Sequence, residues 1–141
     1  MIKKILVPVD GSENSDMAVD QAIDLAKKYS AELHLIHVVP VTTALITGPE
    51  ALAIDVSKQL ESSGERILST AQGRVESMGL EAVTRLEHGQ PADRIIQIAN
   101  DEKFDLIVVG SRGLGSIARF FLGSVSDKVS HHATCAVLIV K

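Results

Sequence analysis

Short apolar runs alternate along this chain with longer stretches in which apolar residues recur every three or four positions. The short runs predict strands, because uninterrupted apolar residues suit strands that are buried on both faces. They span residues 5–9, 33–39, 82–88, 104–109 and 136–140. The longer stretches predict the helices between them. The alternation indicates an α/β fold: a single domain over residues 1–141, with an open, twisted, five-stranded parallel sheet and helices on both faces.

Two further features of the pattern concern the arrangement of the strands. The run at 82–88 is the more mixed one and suits a position near an edge, whereas the continuous apolar run at 104–109 suits a central strand. The strand order that we expect is 3-2-1-4-5, as in Rossmann-like sheets.

Capping residues predict where three of the helices begin. Ser12 is expected to cap the first helix, Pro91 to open the third, and Ser124 with Asp127 to form a capping box for the last. The stripe expected to face inward in the first helix is Ala18, Ala22, Leu25 or Ala26, and Tyr29. In the third helix it is Ala92, Ile95, Ile96 and Ala99.

The second helix is predicted to be long, from Pro49 to a stop at Gly79. The stripe predicted to be buried consists of Leu52, Val56, Leu60, Ile67, Ala71, Val75 and Met78. Gly64 and Gly73 lie inside the helix, where each costs about 1 kcal/mol relative to Ala. Either of them could mark a kink or break.

Composition and charge exclude several classes of partner. The 141 residues carry a net charge of −4 and only 3% aromatic residues, which argues against a nucleic-acid surface or an anionic-membrane surface. No apolar run approaches the roughly 18 residues of a membrane span, and the N-terminus does not resemble a secretory signal. The single Cys135 cannot form an internal disulfide, so we expect a buried structural thiol and a cytoplasmic protein.

The segment with the most chemical information follows the fourth predicted strand. Gly110, Gly113 and Gly123 are separated by two and then nine residues, and Ser124 opens the next helix. Flexible backbone beside a new helix N-terminus exposes N–H groups and the positive end of the helix dipole, so the segment predicts a site for phosphate. A P-loop and the dinucleotide fingerprint would both follow an early strand. Neither is present there, because the first turn, DGSENS, has one glycine and no Gly-Lys-Ser/Thr.

A second group of residues is expected at the same site. Ligands of open α/β sheets bind beyond the carboxyl ends of the strands, where the strand order reverses. If the first and fourth strands are neighbours, Asp10 and Gly110 face each other across that crevice, with Val38 and Val39 alongside.

Four sequence stretches, VPVDGS, HVV, GSRGLGSIARFFLGS and VLIVK, together resemble the universal stress proteins, and the glycine pattern is similar to that of the ATP-binding branch. The resemblance covers the whole chain and implies ATP as ligand, with or without Mg²⁺. It implies that Asp10 lies near the ribose and the metal-phosphate region and that the Val38 backbone meets the adenine edge. The remaining residues that it implies around the nucleotide are Pro8, Val9, Val109, Gly110, Arg112, Gly113, Gly123, Ser124 and Val125. The resemblance also implies a homodimer formed through the C-terminal strand.

Several of these residues also allow a purely structural role. Asp10 could form an Asx-turn beside Gly11, Arg112 could be a solvated loop cation, and Ser124 serves as an N-cap whether or not an anion binds. The five histidines form no metal set, and only for His88, just before Gly89, is an approach to the crevice considered, as the less favoured interpretation.

Three functions fit these observations: a nucleotide-binding regulatory protein, a slow ATP hydrolase or phosphotransferase acting as a timer, and a dimeric adaptor that needs no nucleotide. The glycine segment at 110–124, which is the predicted phosphate cradle, has no lysine. No Ser–His–Asp or Cys–His set can be assembled either, so efficient turnover is not indicated. The apolar segment at 41–48 has no assigned element; it could be a lid, a contact between protomers or a docking patch for another protein, the last two being favoured.

Overall fold

Strands and helices alternate along the chain. The structure is a computed structural model, and it describes residues 1–41, 48–112 and 122–141. Its strands are β1 (Lys4–Pro8), β2 (Glu32–Val39), β3 (Ala82–His88), β4 (Leu106–Gly110) and β5 (Ala136–Val140). Its helices are α1 (Glu13–Tyr29), α2 (Glu50–Ser77), α3 (Pro91–Asp101) and α4 (Ser124–His132). Most of the segment at 41–48, namely residues 42–47, lies outside the described ranges, as do residues 113–121.

The five strands form one parallel sheet in the order β3-β2-β1-β4-β5, which confirms the predicted fold class and strand order. β1 pairs with β2 on one side, in the register Pro8 to Ile36, and with β4 on the other. The chain adds β2 and β3 on one side of β1, and it then adds β4 and β5 on the other side. The direction in which strands are added therefore reverses between β1 and β4. The predicted edge position of β3 and the interior position of β4 are both confirmed.

Helices cover both faces of the sheet and enclose two aliphatic cores. On one face, α1 and α2 pack over Val7, Leu35 and Val108. On the other, α3 and α4 pack over Leu6, Ile36 and Ile107. Burial on both faces explains why β1 and β4 carry consecutive apolar residues and no alternation of apolar and polar ones.

The bounds of β3 and β5 agree with the prediction, whereas β4 begins at Leu106 and not at residue 104. Phe104 is buried but belongs to the end of α3, where its N–H donates to the Ala99 carbonyl at 2.9 Å. Lys103 precedes it with φ +59°. This is a Schellman motif with lysine in the left-handed position that glycine usually occupies. An apolar residue next to the strand was therefore wrongly included in it.

The helix α2 is continuous through Gly64 and Gly73, so neither glycine breaks it. Its predicted stripe is wrong at both ends, because Leu52 and Met78 are each nearly half exposed. The reason is length. The 28 residues of α2 extend about 42 Å, whereas the eight residues of β2 extend only about 26 Å, so the helix is longer than the sheet that it covers.

Two smaller expectations about the helices are also wrong. Tyr29, the last residue of α1, is 40% exposed and does not face the core. The capping box of α4 does not form: Gly123 is the N-cap, and no side chain makes a capping hydrogen bond. Ser124 is the first helical residue, so its hydroxyl stands one position too late for that role. The Ser12 cap of α1 is confirmed, with its hydroxyl accepting from Ser15 N.

Candidate functional site

A cavity of about 600 Å³ opens where the carboxyl ends of β1, β2 and β4 meet the N-terminus of α4. Sites for small molecules and cofactors commonly measure about 300–1,000 Å³. The cavity lies at the reversal of strand order, which is the position that open α/β sheets use for ligands.

The predicted site residues that the structure describes line this cavity, except Val39, which is not part of its lining. The set consists of Pro8, Val9, Asp10, Val38, Val109, Gly110, Arg112, Gly123, Ser124 and Val125. Gly113 lies outside the described residues. Residues from four separate parts of the sequence are thus brought to one wall by strand order.

The chain turns sharply where β1 ends. Gly11 has φ +84°, a conformation that side chains other than glycine rarely adopt. Asp10 Oδ1 accepts a hydrogen bond from Ser12 N at 2.9 Å, which is an Asx-turn. Asp10 also lines the cavity. The residue therefore forms the Asx-turn that was considered as its structural role and lies at the predicted site as well.

The end of β2 directs backbone groups at the crevice. Along a strand, successive residues point their N–H and C=O groups to opposite sides. The Ile36 carbonyl accepts from Val9 N on the β1 side, and the Val39 carbonyl accepts from Gly89 N on the β3 side. Val38 therefore points both of its backbone groups to the side where β1 has already turned away.

Gly110 allows α1 to approach the end of β4. A Cβ atom at this position would lie 2.8 Å from both the carbonyl carbon and the oxygen of Asn14. Such contacts with backbone atoms can be relieved only by moving α1. The glycine predicted to form part of a phosphate cradle is thus also required for packing.

Ser111 connects the cavity wall with three neighbouring elements. Its N–H donates to the Val140 carbonyl at 2.8 Å, and its carbonyl accepts from Gly123 N at 2.7 Å. The Ser126 hydroxyl lies 2.9 Å from the same carbonyl, and Asn14 Nδ2 donates to the Ser111 hydroxyl at 3.1 Å. The Gly123 N–H, expected to hold phosphate, is already used in this network.

The N-terminus of α4 still offers donors to the cavity. The first helical hydrogen bond runs from Asp127 N to the Gly123 carbonyl, at 2.9 Å. The N–H groups of Ser124, Val125 and Ser126 precede it and have no acceptor within the helix. All three residues line the cavity, where the positive end of the helix dipole favours an anion.

Few charges line the cavity. Asp10 and Arg112 are the charged side chains among its described lining residues, with His37 as a further titratable group. No group of three His, Cys, Asp or Glu residues able to hold a metal ion is found in residues 1–41, 48–112 and 122–141. The same part of the chain contains no helix long and apolar enough to cross a membrane.

One wall of the cavity was missed by the sequence analysis. It is formed by α2 and α3 and consists of Leu60, Ser63, Ile67, Pro91 and Ile95. His37 was also missed, whereas His88 lies outside the cavity lining and pairs with Glu61 at 2.9 Å. The apolar period of α2 marked Leu60 and Ile67 as inward-facing, but nothing in the period distinguishes a core contact from a cavity wall.

These observations define a class of protein: a parallel α/β domain with a cavity where the strand order reverses, lined in part by a helix N-terminus. The universal stress protein family model matches residues 1–141. Universal stress protein YxiE of Bacillus subtilis is 40% identical over 148 aligned residues, which cover 100% of both chains. The chain belongs to the universal stress protein family.

Solved structures of similar proteins agree with this assignment. Universal stress protein UspA from Lactobacillus plantarum has a TM-score of 0.86 at 28% identity, covering 99% of this chain and 97% of its own. A universal stress protein in complex with cAMP has a TM-score of 0.75 at 30% identity, covering 99% of this chain and 97% of its own.

Proposed function

We propose that this protein is a cytoplasmic regulatory stress-response protein that binds ATP between the ends of β1 and β4 and signals through its dimer or partner surfaces. The observation that carries the proposal is the cavity, because the described residues among those implied by the family resemblance line it. A family member 30% identical to this chain forms a complex with cAMP, which supports an adenine nucleotide as the ligand.

Each part of the nucleotide has a suitable partner in the wall. The backbone of Val38 offers one donor and one acceptor to the edge of a base. The N–H groups at the start of α4 and the Arg112 guanidinium suit the phosphates. Asp10 offers a carboxylate to a ribose hydroxyl or to Mg²⁺, which would take its remaining ligands from phosphate and water.

The test is direct binding, with ATP, ADP, AMP, cAMP and GTP titrated with and without Mg²⁺. Nucleotide released from the purified protein by denaturation identifies any ligand already held. We expect ATP to bind and GTP to bind more weakly. Steady release of ADP from Mg²⁺-ATP would instead favour a slow hydrolase, and failure of every nucleotide to bind would contradict the proposal.

A pair of variants on α4 separates a phosphate site from general charge effects. Ser124→Glu places a carboxylate at the cavity, where it repels phosphate but suits a helix N-terminus, so folding should be maintained. Ser130→Glu makes the same change of charge near the other end of the helix, outside the cavity lining. We expect Ser124→Glu to weaken the binding of ATP at least about tenfold, and to weaken the binding of AMP less. Ser130→Glu should have little effect on either affinity.

The dimer surface that we propose is β5. This strand forms one edge of the sheet, and Leu138 on it is 37% exposed. An exposed apolar edge strand favours pairing with another chain, and a two-fold axis would cover both copies at once.

A further inference from the structure

His37 is a residue of the cavity wall that the proposed binding of nucleotide does not yet use. It lies near the end of β2, on the face covered by α2. Its Nδ1 atom lies 2.8 Å from the carbonyl oxygen of Val9. Because a carbonyl oxygen can only accept, Nδ1 must carry the hydrogen.

This hydrogen bond replaces one that a parallel ladder would normally contain. Val9 N donates to the Ile36 carbonyl at 2.8 Å, one residue past the last ladder pair, Pro8 and Ile36. In a ladder continued by one step, the Val9 carbonyl would accept from Val38 N. No such bond is found among the described residues, and the His37 ring donates to that carbonyl instead.

The hydrogen bond from His37 leaves the Val38 N–H available at the crevice. The backbone groups of Val38 point towards the side of β1, where the Val9 carbonyl would be the acceptor for the Val38 N–H in a continued ladder. Because His37 supplies the donor for that carbonyl, the Val38 N–H does not need to. The strand end is thereby held in place without using the backbone group that faces the cavity.

The same bond also orients the start of the Asp10 turn. The Val9 carbonyl and the Asp10 nitrogen belong to one planar peptide unit, so a bond that fixes the carbonyl also fixes the direction in which the chain leaves β1. Asp10 then closes its Asx-turn onto Ser12 N.

Gly64 of α2 limits the movement of the His37 ring. A Cβ at Gly64 would lie 2.7 Å from His37 Cδ2 and 3.2 Å from its Nε2. The helix backbone therefore packs against one edge of the ring while Nδ1 bonds to Val9 at the other. The ring is confined between β1 and α2.

We propose that His37 is a positioning residue of the nucleotide site: its Nδ1–H holds the Val9–Asp10 peptide and leaves the Val38 N–H for the base. The inference rests on the proposed function, and it adds a residue and a role to that site. His37 acts through Val9 and Val38 and need not touch the ligand.

Two variants of nearly equal shape test this role. His37→Asn retains an N–H donor at the position of Nδ1, whereas His37→Leu has similar volume and no donor. We expect similar urea midpoints for the two, since both lose the ring. We expect His37→Asn to bind ATP within about threefold of the wild type and His37→Leu to lose at least about tenfold.

Two measurements on the ligand-free protein make the test independent of binding. Long-range ¹H–¹⁵N correlation should show the His37 proton on Nδ1. Amide exchange at Val38 should be fast in the wild type and slower in His37→Leu, where Val38 N can take over the Val9 carbonyl. Equal ATP affinity of the Asn and Leu variants, or a proton on Nε2 of the neutral ring, would overturn the inference.

Failure of the proposed function gives a different result. If the wild type binds no nucleotide while the His37 proton and the Val38 exchange behave as expected, nucleotide binding is wrong and the role of His37 in ending the β1–β2 ladder stands. If Val38 exchange is the same in wild type and His37→Leu, the inference is wrong whatever the wild type binds.

Discussion

At the scale of single residues, a chain of ion pairs links the edge strand β3 to α3. Arg85 Nη1 lies 2.8 Å from Glu102 Oε1, and its Nη2 lies 3.4 Å from Glu87 Oε1. Glu87 in turn accepts from Arg94 at 2.9 Å. The hydrogen bond from Arg85 holds the pKa of Glu102 below its usual value of 4.5. The Glu102 side chain is 38% exposed, so solvent weakens the pair.

We expect Arg85→Met to lower the free energy of unfolding near neutral pH by less than about 1 kcal/mol. A carboxylate whose pKa is lowered by folding stabilises the protein above its unfolded-state pKa, and that contribution is lost as the pH falls through the folded-state value. The difference between wild type and variant should therefore shrink below pH 4.5. Urea unfolding across this range measures it.

Glu102→Gln provides the control for this prediction, because it removes the titrating group. In that background, Arg85→Met should show less pH dependence. A stability difference that stays constant, or grows, on acidification would show that Arg85 contributes through packing and not through Glu102.

The sequence could identify residues whose type carries the signal, and not those whose role depends on a neighbour. The glycine spacing and Asp10 predicted residues that line one cavity. His37 was not predicted, because its hydrogen bond to Val9 depends on the register of two strands. Cys135 was expected to be buried and is only partly so, although burial still raises the pKa of its thiol.

At the scale of elements, the two glycines inside α2 have different surroundings. A Cβ at Gly64 would lie 2.7 Å from the His37 ring and 2.8 Å from Leu86, whereas a Cβ at Gly73 would have no atom within 4 Å. The first glycine sets how closely α2 approaches the sheet. The second has no packing role in the contacts of the described residues.

We expect Gly73→Ala to stabilise the protein by up to about 1 kcal/mol, the difference in helix propensity. Gly64→Ala gains the same propensity but must displace a hydrogen-bonded ring, so it should be less stable than Gly73→Ala by about 1–3 kcal/mol. Urea denaturation of the two single variants gives the comparison directly. Equal stabilities would mean that the His37 ring and Leu86 move aside at little cost.

Element type and order could be predicted because strand and helix periods differ and turn residues separate them. The ends of elements were less predictable. The left-handed Lys103 that ends α3 is not encoded by a glycine, and the extent to which α2 is longer than the sheet depends on the length of a strand elsewhere in the chain.

At the scale of the whole molecule, the sheet has two edges with similar apolar exposure. Leu138 on β5 is 37% exposed, and Val83 on β3 is 48% exposed. Exposure alone would therefore not choose between the edges for pairing. The family resemblance favours β5.

We expect Leu138→Lys to convert the proposed dimer to a monomer, because it places a charge in a strand edge that pairs with its own copy. Val83→Lys makes a similar change on the opposite edge and should leave the oligomeric state of the protein unchanged. Sedimentation velocity over a range of concentrations distinguishes the two. A wild type that is monomeric throughout, or a monomer produced by Val83→Lys, would contradict the assignment to β5.

The hydrogen bonds of Ser111 place the cavity and this outer strand only two bonds apart, since its carbonyl accepts from Gly123 and its N–H donates to Val140. If the proposed nucleotide site and the proposed β5 dimer both form, they share this peptide segment, and we expect the two equilibria to be linked through it. If nucleotide strengthens the dimer by some factor, dimerisation must strengthen nucleotide binding by the same factor. The affinity for ATP would consequently depend on the concentration of the protein itself.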